Sequence, residues 1–229
     1  FSDIEGFTGI SDGMEPERLA FVINTYLSEM SKIAIEYGGT IDKFIGDAVM
    51  VFFGDPETEG DQNDAILCAK MAVKMRERVA ELQQVWRSNG VPKPLRVRMG
   101  INTGYCTVGN FGSDQRLDYT VLGSPVNMAA RLQAIAEPDT INVSETTHLL
   151  IEDVADCIKV NDITPKGFTR PVGIYRLDAL KHTDTPMKQM IRKAEHVEVN
   201  ITDGRNIRAV IEELKQIEKE FETLLRDRG

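Results

Sequence analysis

The 229-residue chain reads as an α+β protein, a sheet covered by helices. Two long segments, 16–37 and 61–87, carry apolar residues at helical spacing. Residues 40–53 change period and contain a two-residue turn, the mark of a hairpin. Residues 95–102 alternate strictly, as a half-buried strand does. Hairpins interleave with helices, which argues against a purely parallel sheet.

The elements follow in order. Asp3 ends a first strand, and IEGFT is a turn leading to the first helix. That helix spans 16–37. Pro16 sits near its start, Leu19, Ile23, Tyr26, Leu27, Met30 and Ile33 form its stripe, and Gly38-Gly39 stops it. In the hairpin, Ile41, Lys43 and Ile45 share one face and alternate with Asp42 and Phe44. Gly46-Asp47 forms the turn into the apolar run from Val49 to Phe53. A second long helix covers 61–87, and Asn89-Gly90 with Pro92 and Pro94 marks a loop. In strand 95–102, Leu95, Val97, Met99 and Ile101 face one way, Arg96 and Arg98 the other. A glycine-rich turn (TGYCTVGNFG) and a short strand near 116–121 come next. Residues 124–136 form a helix with Ser124 as N-cap and Pro125 in its first position. Shorter strands are expected near 140–143, 156–161 and 170–177. Beyond about 180 the chain turns polar. EHVEVNIT reads as one more strand. Ile207, Val210, Leu214, Ile217, Phe221 and Leu224 then form a short heptad seam, suited to packing on its own domain or on a partner helix.

Composition excludes several classes of protein. Hydrophobic residues at 41% and charged residues at 28% are globular values. With 27 basic and 36 acidic residues the formal charge is −9, so no nucleic-acid partner is expected. Cys68, Cys106 and Cys157 are far apart and form no CxxC pair. That excludes a disulfide scaffold or thiolate zinc site and suggests a reducing, cytoplasmic setting. No apolar run approaches the roughly 18 residues of a membrane span, and no signal peptide is visible. The chain opens on Phe1 without an initiator methionine, so it is expected to be a piece of a longer protein.

Several residues could carry chemistry, each with a plainer reading beside it. Asp3 and Asp47 lie at strand ends, where two carboxylates can hold hard divalent cations and leave sites for phosphate oxygens. Either is also an ordinary solvated residue, and their spacing does not prove that they meet. Lys43 has apolar neighbours on its face, as a donor to a ligand ring nitrogen or as an edge-strand guard. Asn127 and Arg131, four apart, share a helix face and suit a sugar oxygen and a phosphate, or are merely solvated. Arg98 is a second phosphate candidate or an exposed strand arginine. There is no GxxxxGK[ST], no GxGxxG after a first strand, no GxSxG elbow, and no metal-ligand spacing among His148, His182 and His196.

Four blocks, FSDIEGFT, KFIGDAVMVFFG, VRMGINTGYCTVGNFG and DYTVLGSPVNMAARL, resemble in order and spacing the class III adenylyl and guanylyl cyclase catalytic domains. The resemblance covers 1–178, leaving 179–229 as an extension of unknown role. It implies a ferredoxin-like βαββαβ core and a head-to-tail homodimer with composite active sites. It implies two Mg2+ or Mn2+ ions on Asp3 and Asp47, assisted by the Ile4 carbonyl. Lys43 would read the purine, Asn127 the ribose, and Arg131 the charge on the α-phosphate. Arg98 and Lys166 would contact the triphosphate, with Arg170 an alternative to Lys166, and Thr8 is a further substrate contact. Thr120 stands where many adenylyl cyclases carry aspartate. Its hydroxyl can donate or accept, so its selectivity rests on its orientation. Thr120 resembles a Thr- or Ser-containing subgroup, several members of which respond to bicarbonate. Guanylyl cyclases typically carry glutamate where Lys43 stands, so the expected substrate is ATP, giving cyclic AMP and pyrophosphate. The alternatives are a guanylate cyclase and a non-catalytic module that binds nucleotide or dimerises. A sensor or membrane region upstream is expected in the parent protein.

Overall fold

The computed structural model describes residues 1–91, 93–164, 170–181, 190–193, 198–201, 211 and 213–219. The chain divides into two units, Phe1–Lys181 and His182–Gly229.

A seven-stranded sheet organises the first unit. Its strands are β1 (Ser2–Ile4), β2 (Thr40–Ile45), β3 (Ala48–Phe52), β4 (Val97–Ile101), β7 (Thr140–Ser144), β8 (Ala155–Ile163) and β9 (Val172–Leu180). They run in the order β2-β3-β1-β4-β7-β9-β8. Only β4 and β7 pair in parallel; the other ladders are antiparallel. A separate hairpin pairs β5 (Thr107–Ser113) with β6 (Arg116–Leu122).

One face of the sheet carries the main core. Helix α2 (Pro16–Glu36) begins with proline at its first position, where the missing N–H costs no hydrogen bond. Its buried face includes Tyr26, Met30 and Ala34. Helix α3 (Asp61–Ser88) adds Ala69, Met75, Leu82 and Trp86. Ile4, Val97, Met99 and Ile101 point into this layer. Tyr26 is fully buried, and its hydroxyl lies 2.7 Å from Ser2 Oγ, so its polar end is satisfied against β1.

The opposite face receives helix α4 (Ser124–Ala134) over β4 and β7. Because side chains alternate, Asp3, Arg98 and Gly100 lie on this second face. At Gly100 the helix backbone comes so close that a Cβ would stand 2.2 Å from Gln133 N and 2.3 Å from Ala129 O. The glycine is therefore what lets α4 rest on β4. Two short helices, α1 (Phe7–Ser11) and α5 (Glu145–Ile151), complete the unit.

Most expected elements are present. The differences are local. IEGFT leads into α1 rather than directly to the long helix. The glycine-rich segment, expected as a turn, contributes all of β5 except Ser113, and β5 takes its extended form by pairing with β6. Gly123 caps α4, and Ser124 is its first residue with no side-chain cap, so the expected Ser124 cap is corrected. Helix α5 is only seven residues long, too short for periodicity to reveal, and is capped by Ser144 Oγ accepting from Thr147 N. In the second unit, β10 (Met190–Lys193) pairs with β11 (Glu198–Ile201), which coincides with the expected EHVEVNIT strand. Residues 213–219 are helical and exposed. Ile207, Val210, Phe221 and Leu224 of the heptad seam lie outside the described residues.

Replacing Gly100 with alanine is expected to lower the unfolding free energy by about 2–3 kcal/mol, since backbone atoms must shift. Gly13→Ala, with open space around it, is expected to stay within about 0.5 kcal/mol of the parent. Urea denaturation of both variants checks the contrast.

Candidate active site

Two carboxylates converge at the centre of the sheet. Gly46, at φ +63°, takes the left-handed conformation that closes the β2–β3 hairpin. The turn presents Asp47 to the neighbouring strand, where its Oδ2 accepts from the Ile4 backbone N–H at 2.8 Å. Asp3 is the residue before Ile4. The hairpin tip thus brings residues 44 apart in sequence to adjacent positions.

Asp3 does not stand alone. Arg98, its partner across the β1–β4 ladder, approaches Asp3 Oδ2 at 3.3 Å and also donates to the Ala134 carbonyl at 3.3 Å. The second oxygen, Asp3 Oδ1, is buried without a hydrogen-bond partner. Burial raises the Asp3 pKa above the ordinary carboxylate value, and the neighbouring Asp47 charge pushes it further. Arg98 opposes the shift. Gln133, whose Nε2 makes no hydrogen bond of good geometry, adds a weaker pull in the same sense as Arg98.

This donor set fits a hard cation. Asp3 and Asp47 supply carboxylate oxygens, one of them unpartnered, as magnesium or manganese prefers. No group of three or more His, Cys, Asp and Glu able to hold a metal occurs among the described residues. That suits magnesium, which commonly takes one or two carboxylates and fills its other positions with water and phosphate.

A second group forms around β2. Lys43 Nζ lies 3.1 Å from Asp42 Oδ1. Asp42 Oδ2 accepts from the Thr120 hydroxyl at 2.6 Å and from the Val121 N–H at 3.1 Å. The Asp42 side chain is wholly buried, while Lys43 is 40% exposed. Simple alternation would set Asp42 and Lys43 on opposite faces. The β2–β3 register shifts between Ile41 and Lys43, and such a bulge re-aims side chains.

The remaining predicted residues are placed as follows. On α4, Asn127 is exposed and Arg131 half-buried, and neither side chain has a hydrogen-bond or ion-pair partner among the described residues. Thr8 is exposed on α1. Arg170 is exposed, and Lys166 lies outside the described residues. The structure therefore joins Asp3, Ile4, Asp47 and Arg98 in one cluster, and Lys43 and Thr120 in another. No hydrogen bond or ion pair links the two clusters among the described residues. Sequence reasoning missed Asp42 and Gln133. The only signal for Asp42 was a carboxylate beside Lys43, and alternation assigned it to the other face. A cavity of about 410 Å³ between β3, α3 and the end of β4 is lined by none of the predicted site residues.

Residues 1–179 match the family described as the adenylate and guanylate cyclase catalytic domain. The chain belongs to that family. Among solved structures, the cyclase fold here superposes on the adenylyl cyclase CyaB from P. aeruginosa with a TM-score of 0.76 and 54% identity. The match covers 78% of this chain and 91% of that one. The guanylyl cyclase Cya2 gives a TM-score of 0.75 at 34% identity, over 80% of this chain and 92% of that one. An adenylate cyclase of Anabaena cylindrica is 36% identical over 78% of this chain and 36% of its own length. Adenylate cyclase 1 of Rhizobium meliloti is 35% identical over 76% of this chain and 25% of its own length. The cyclase chain thus spans about a third or less of these curated relatives. No helix among the described residues is long and apolar enough to cross a membrane.

The raised Asp3 pKa carries a stability prediction. Folding favours the neutral carboxyl, so that contribution is complete below the unfolded pKa and is lost as pH rises through the folded one. Without divalent cations, Asp3→Asn is expected to be more stable than the parent at pH 7, with the gap closing in acid. Urea midpoints across a pH series in EDTA check this, and a gap that widens in acid would contradict it.

Proposed function

We propose that this cyclase domain converts ATP to 3′,5′-cyclic AMP and pyrophosphate. The observation that carries the reading is the Asp47 carboxylate bonded to the Ile4 N–H beside Asp3, which gathers two carboxylates at one point. Its 54% identity to an adenylyl cyclase supports the same conclusion.

The residues take these roles. Asp3 and Asp47, with the Ile4 carbonyl, would hold two Mg2+ or Mn2+ ions. Bound there, the ions would supply acidification of the ribose 3′-hydroxyl and charge compensation for the pyrophosphate. Lys43 and Thr120 receive the purine edge. Asn127 orients the ribose, so that the 3′-hydroxyl stays in line with the phosphorus. Arg131 presents forked donors to charge developing on the α-phosphate. Arg98 offsets part of the burial cost of the Asp3 charge, and with Lys166 or Arg170 it contacts the triphosphate. Thr8 lies in the segment after the metal strand and contacts substrate from there. The protein's task is positioning and charge stabilisation, as in other phosphoryl transfers.

The active form is a head-to-tail homodimer. Asp3 and Asp47 of one protomer serve the site that Lys43, Thr120, Asn127 and Arg131 of its partner complete. Two observations support this division. Among the described residues, no hydrogen bond or ion pair joins the carboxylate and purine clusters within one chain, and Asn127 and Arg131 have no side-chain partner. Exposed Phe44, Ile45, Tyr105, Leu117 and Tyr119 supply apolar surface for such an interface. Residues 1–178 form the catalytic domain, residues 179–229 are a separate extension, and a regulatory region precedes the domain in the parent protein. The domain works in the cytoplasm. Thr120, in the position that many adenylyl cyclases fill with aspartate, supports assigning it to the bicarbonate-responsive subgroup.

Turnover of ATP and GTP by the purified protein with manganese tests the reaction. Cyclic AMP is the expected product, and tight ATP binding without cyclisation would refute catalysis. An equimolar mixture of Asp47→Ala and Arg131→Ala chains is expected to regain up to about a quarter of parental turnover, because half of randomly paired dimers are mixed and each has one intact site. Silent mixtures despite verified mixed dimers would remove the shared site. Bicarbonate at constant pH is expected to raise kcat, and an unchanged rate would remove that assignment.

A further inference from the structure

We propose that Asp42 is the positioning residue that sets purine selectivity, by taking the Thr120 proton so that the hydroxyl meets the base as an acceptor only. The inference rests on the reading of Lys43 and Thr120 as purine contacts. It supplies what that reading lacks, since a threonine hydroxyl by itself can donate or accept.

The geometry leaves little freedom. Asp42 is wholly buried and receives three groups. The Val121 N–H can only donate, so Oδ2 meets it as an acceptor, and the Lys43 ammonium lies 3.1 Å from Oδ1 as an ion pair without hydrogen-bond geometry. The Thr120 hydroxyl lies 2.6 Å from the same Oδ2 that Val121 holds. Its single proton is therefore committed to Asp42, in the short, charge-assisted range. Two lone pairs remain for a ligand. Thr120 is itself only 6% exposed, so little water competes for that proton.

Lys43 completes the pattern. Asp42 Oδ1 lies 3.1 Å from its ammonium as an ion pair without hydrogen-bond geometry, and the ammonium protons can donate to the base. The two groups together present one acceptor and one donor. Adenine offers the complement, an amino group at C6 that donates and N1 that accepts. Guanine offers the reverse, O6 accepting and N1–H donating. A misplaced donor or acceptor leaves buried polar groups unpaired, which is the stronger form of discrimination. The β2 bulge makes this possible by putting Asp42 on the same side as Lys43.

The test compares kcat/KM for ATP and GTP in Asp42→Ala, Asp42→Asn, Lys43→Ala and Thr120→Val proteins. Asp42→Ala is expected to reduce the ATP-over-GTP ratio at least about tenfold, through the loss of one hydrogen-bond constraint worth roughly that factor. Asp42→Asn keeps an acceptor for Thr120 and Val121 and is expected to retain most of the selectivity. Asp42→Ala added to Thr120→Val should change the ratio no further. An unchanged ratio in Asp42→Ala, with Lys43→Ala or Thr120→Val shifting it, overturns this proposal and leaves the purine contacts standing. Equal loss in the Ala and Asn variants assigns the effect to the Lys43 ion pair and also overturns it. If no variant shifts the ratio, the purine contacts and the proposal fall together.

Should Asp42→Ala not fold, 6-methoxypurine riboside triphosphate gives the answer on otherwise intact protein. This analogue keeps the N1 acceptor for Lys43 but puts an acceptor at C6. With the Thr120 proton held by Asp42, the hydroxyl meets this analogue acceptor to acceptor, and the parent protein is expected to turn it over at least about tenfold less well than ATP. Equal kcat/KM for the analogue and ATP would mean that the hydroxyl donates to the base, and would overturn the proposal.

Discussion

The contact between Asp47 and the backbone of Ile4 is the constraint on which the rest of the catalytic domain depends. A hydrogen bond from a peptide N–H to a carboxylate is charge-assisted and directional. Here it also closes geometry, because it ties a hairpin tip to an interior strand of the sheet, between β3 and β4. Without it, Asp3 would be a half-buried carboxylate paired with Arg98 alone and Asp47 a solvated turn residue. With it, two negative groups are held together at a cost that a cation can offset.

That arrangement costs folding free energy, and the structure contains its compensations. Arg98 lies across the ladder from Asp3, and Ser2, one residue away on the other face, accepts the Tyr26 hydroxyl or donates to it. β1 is only three residues long, yet it carries the Asp3 carboxylate on one face and core contacts on the other. Its position between β3 and β4 makes this possible, since both neighbours supply backbone hydrogen bonds. The missing Cβ at Gly100 then lets α4 settle beside the site, and Asn127 and Arg131 travel with that helix.

The Asp42 network shows a second use of buried charge. A buried carboxylate is tolerated when donors or a cation meet it; here two donors bond Oδ2, and the Lys43 ammonium lies 3.1 Å from Oδ1. Each of those donors belongs to, or adjoins, a residue assigned to the purine. A change at Asp42 therefore acts on selectivity through its neighbours rather than by touching substrate.

Local pattern by itself determined a good deal about this protein. The alternation of Val97, Met99 and Ile101, the helical stripe from Leu19 to Ile33 and the Gly46-Asp47 turn depend on neighbours a few residues away, so they are legible in the chain. The four blocks of resemblance identified the family because they preserve residue types at set spacings. Only the tertiary structure decided which residues meet. Asp3 and Asp47 converge through strand order, and strand order depends on long-range pairing that no local period encodes. Asp42 joins Lys43 through a bulge, a single extra residue that breaks the two-residue period from which faces are assigned. Strand β5 is extended because β6 pairs with it, although its own glycines read as a turn. In each case a partner distant in sequence overrides the local preference, and the information lies in the pairing of segments rather than in either segment alone.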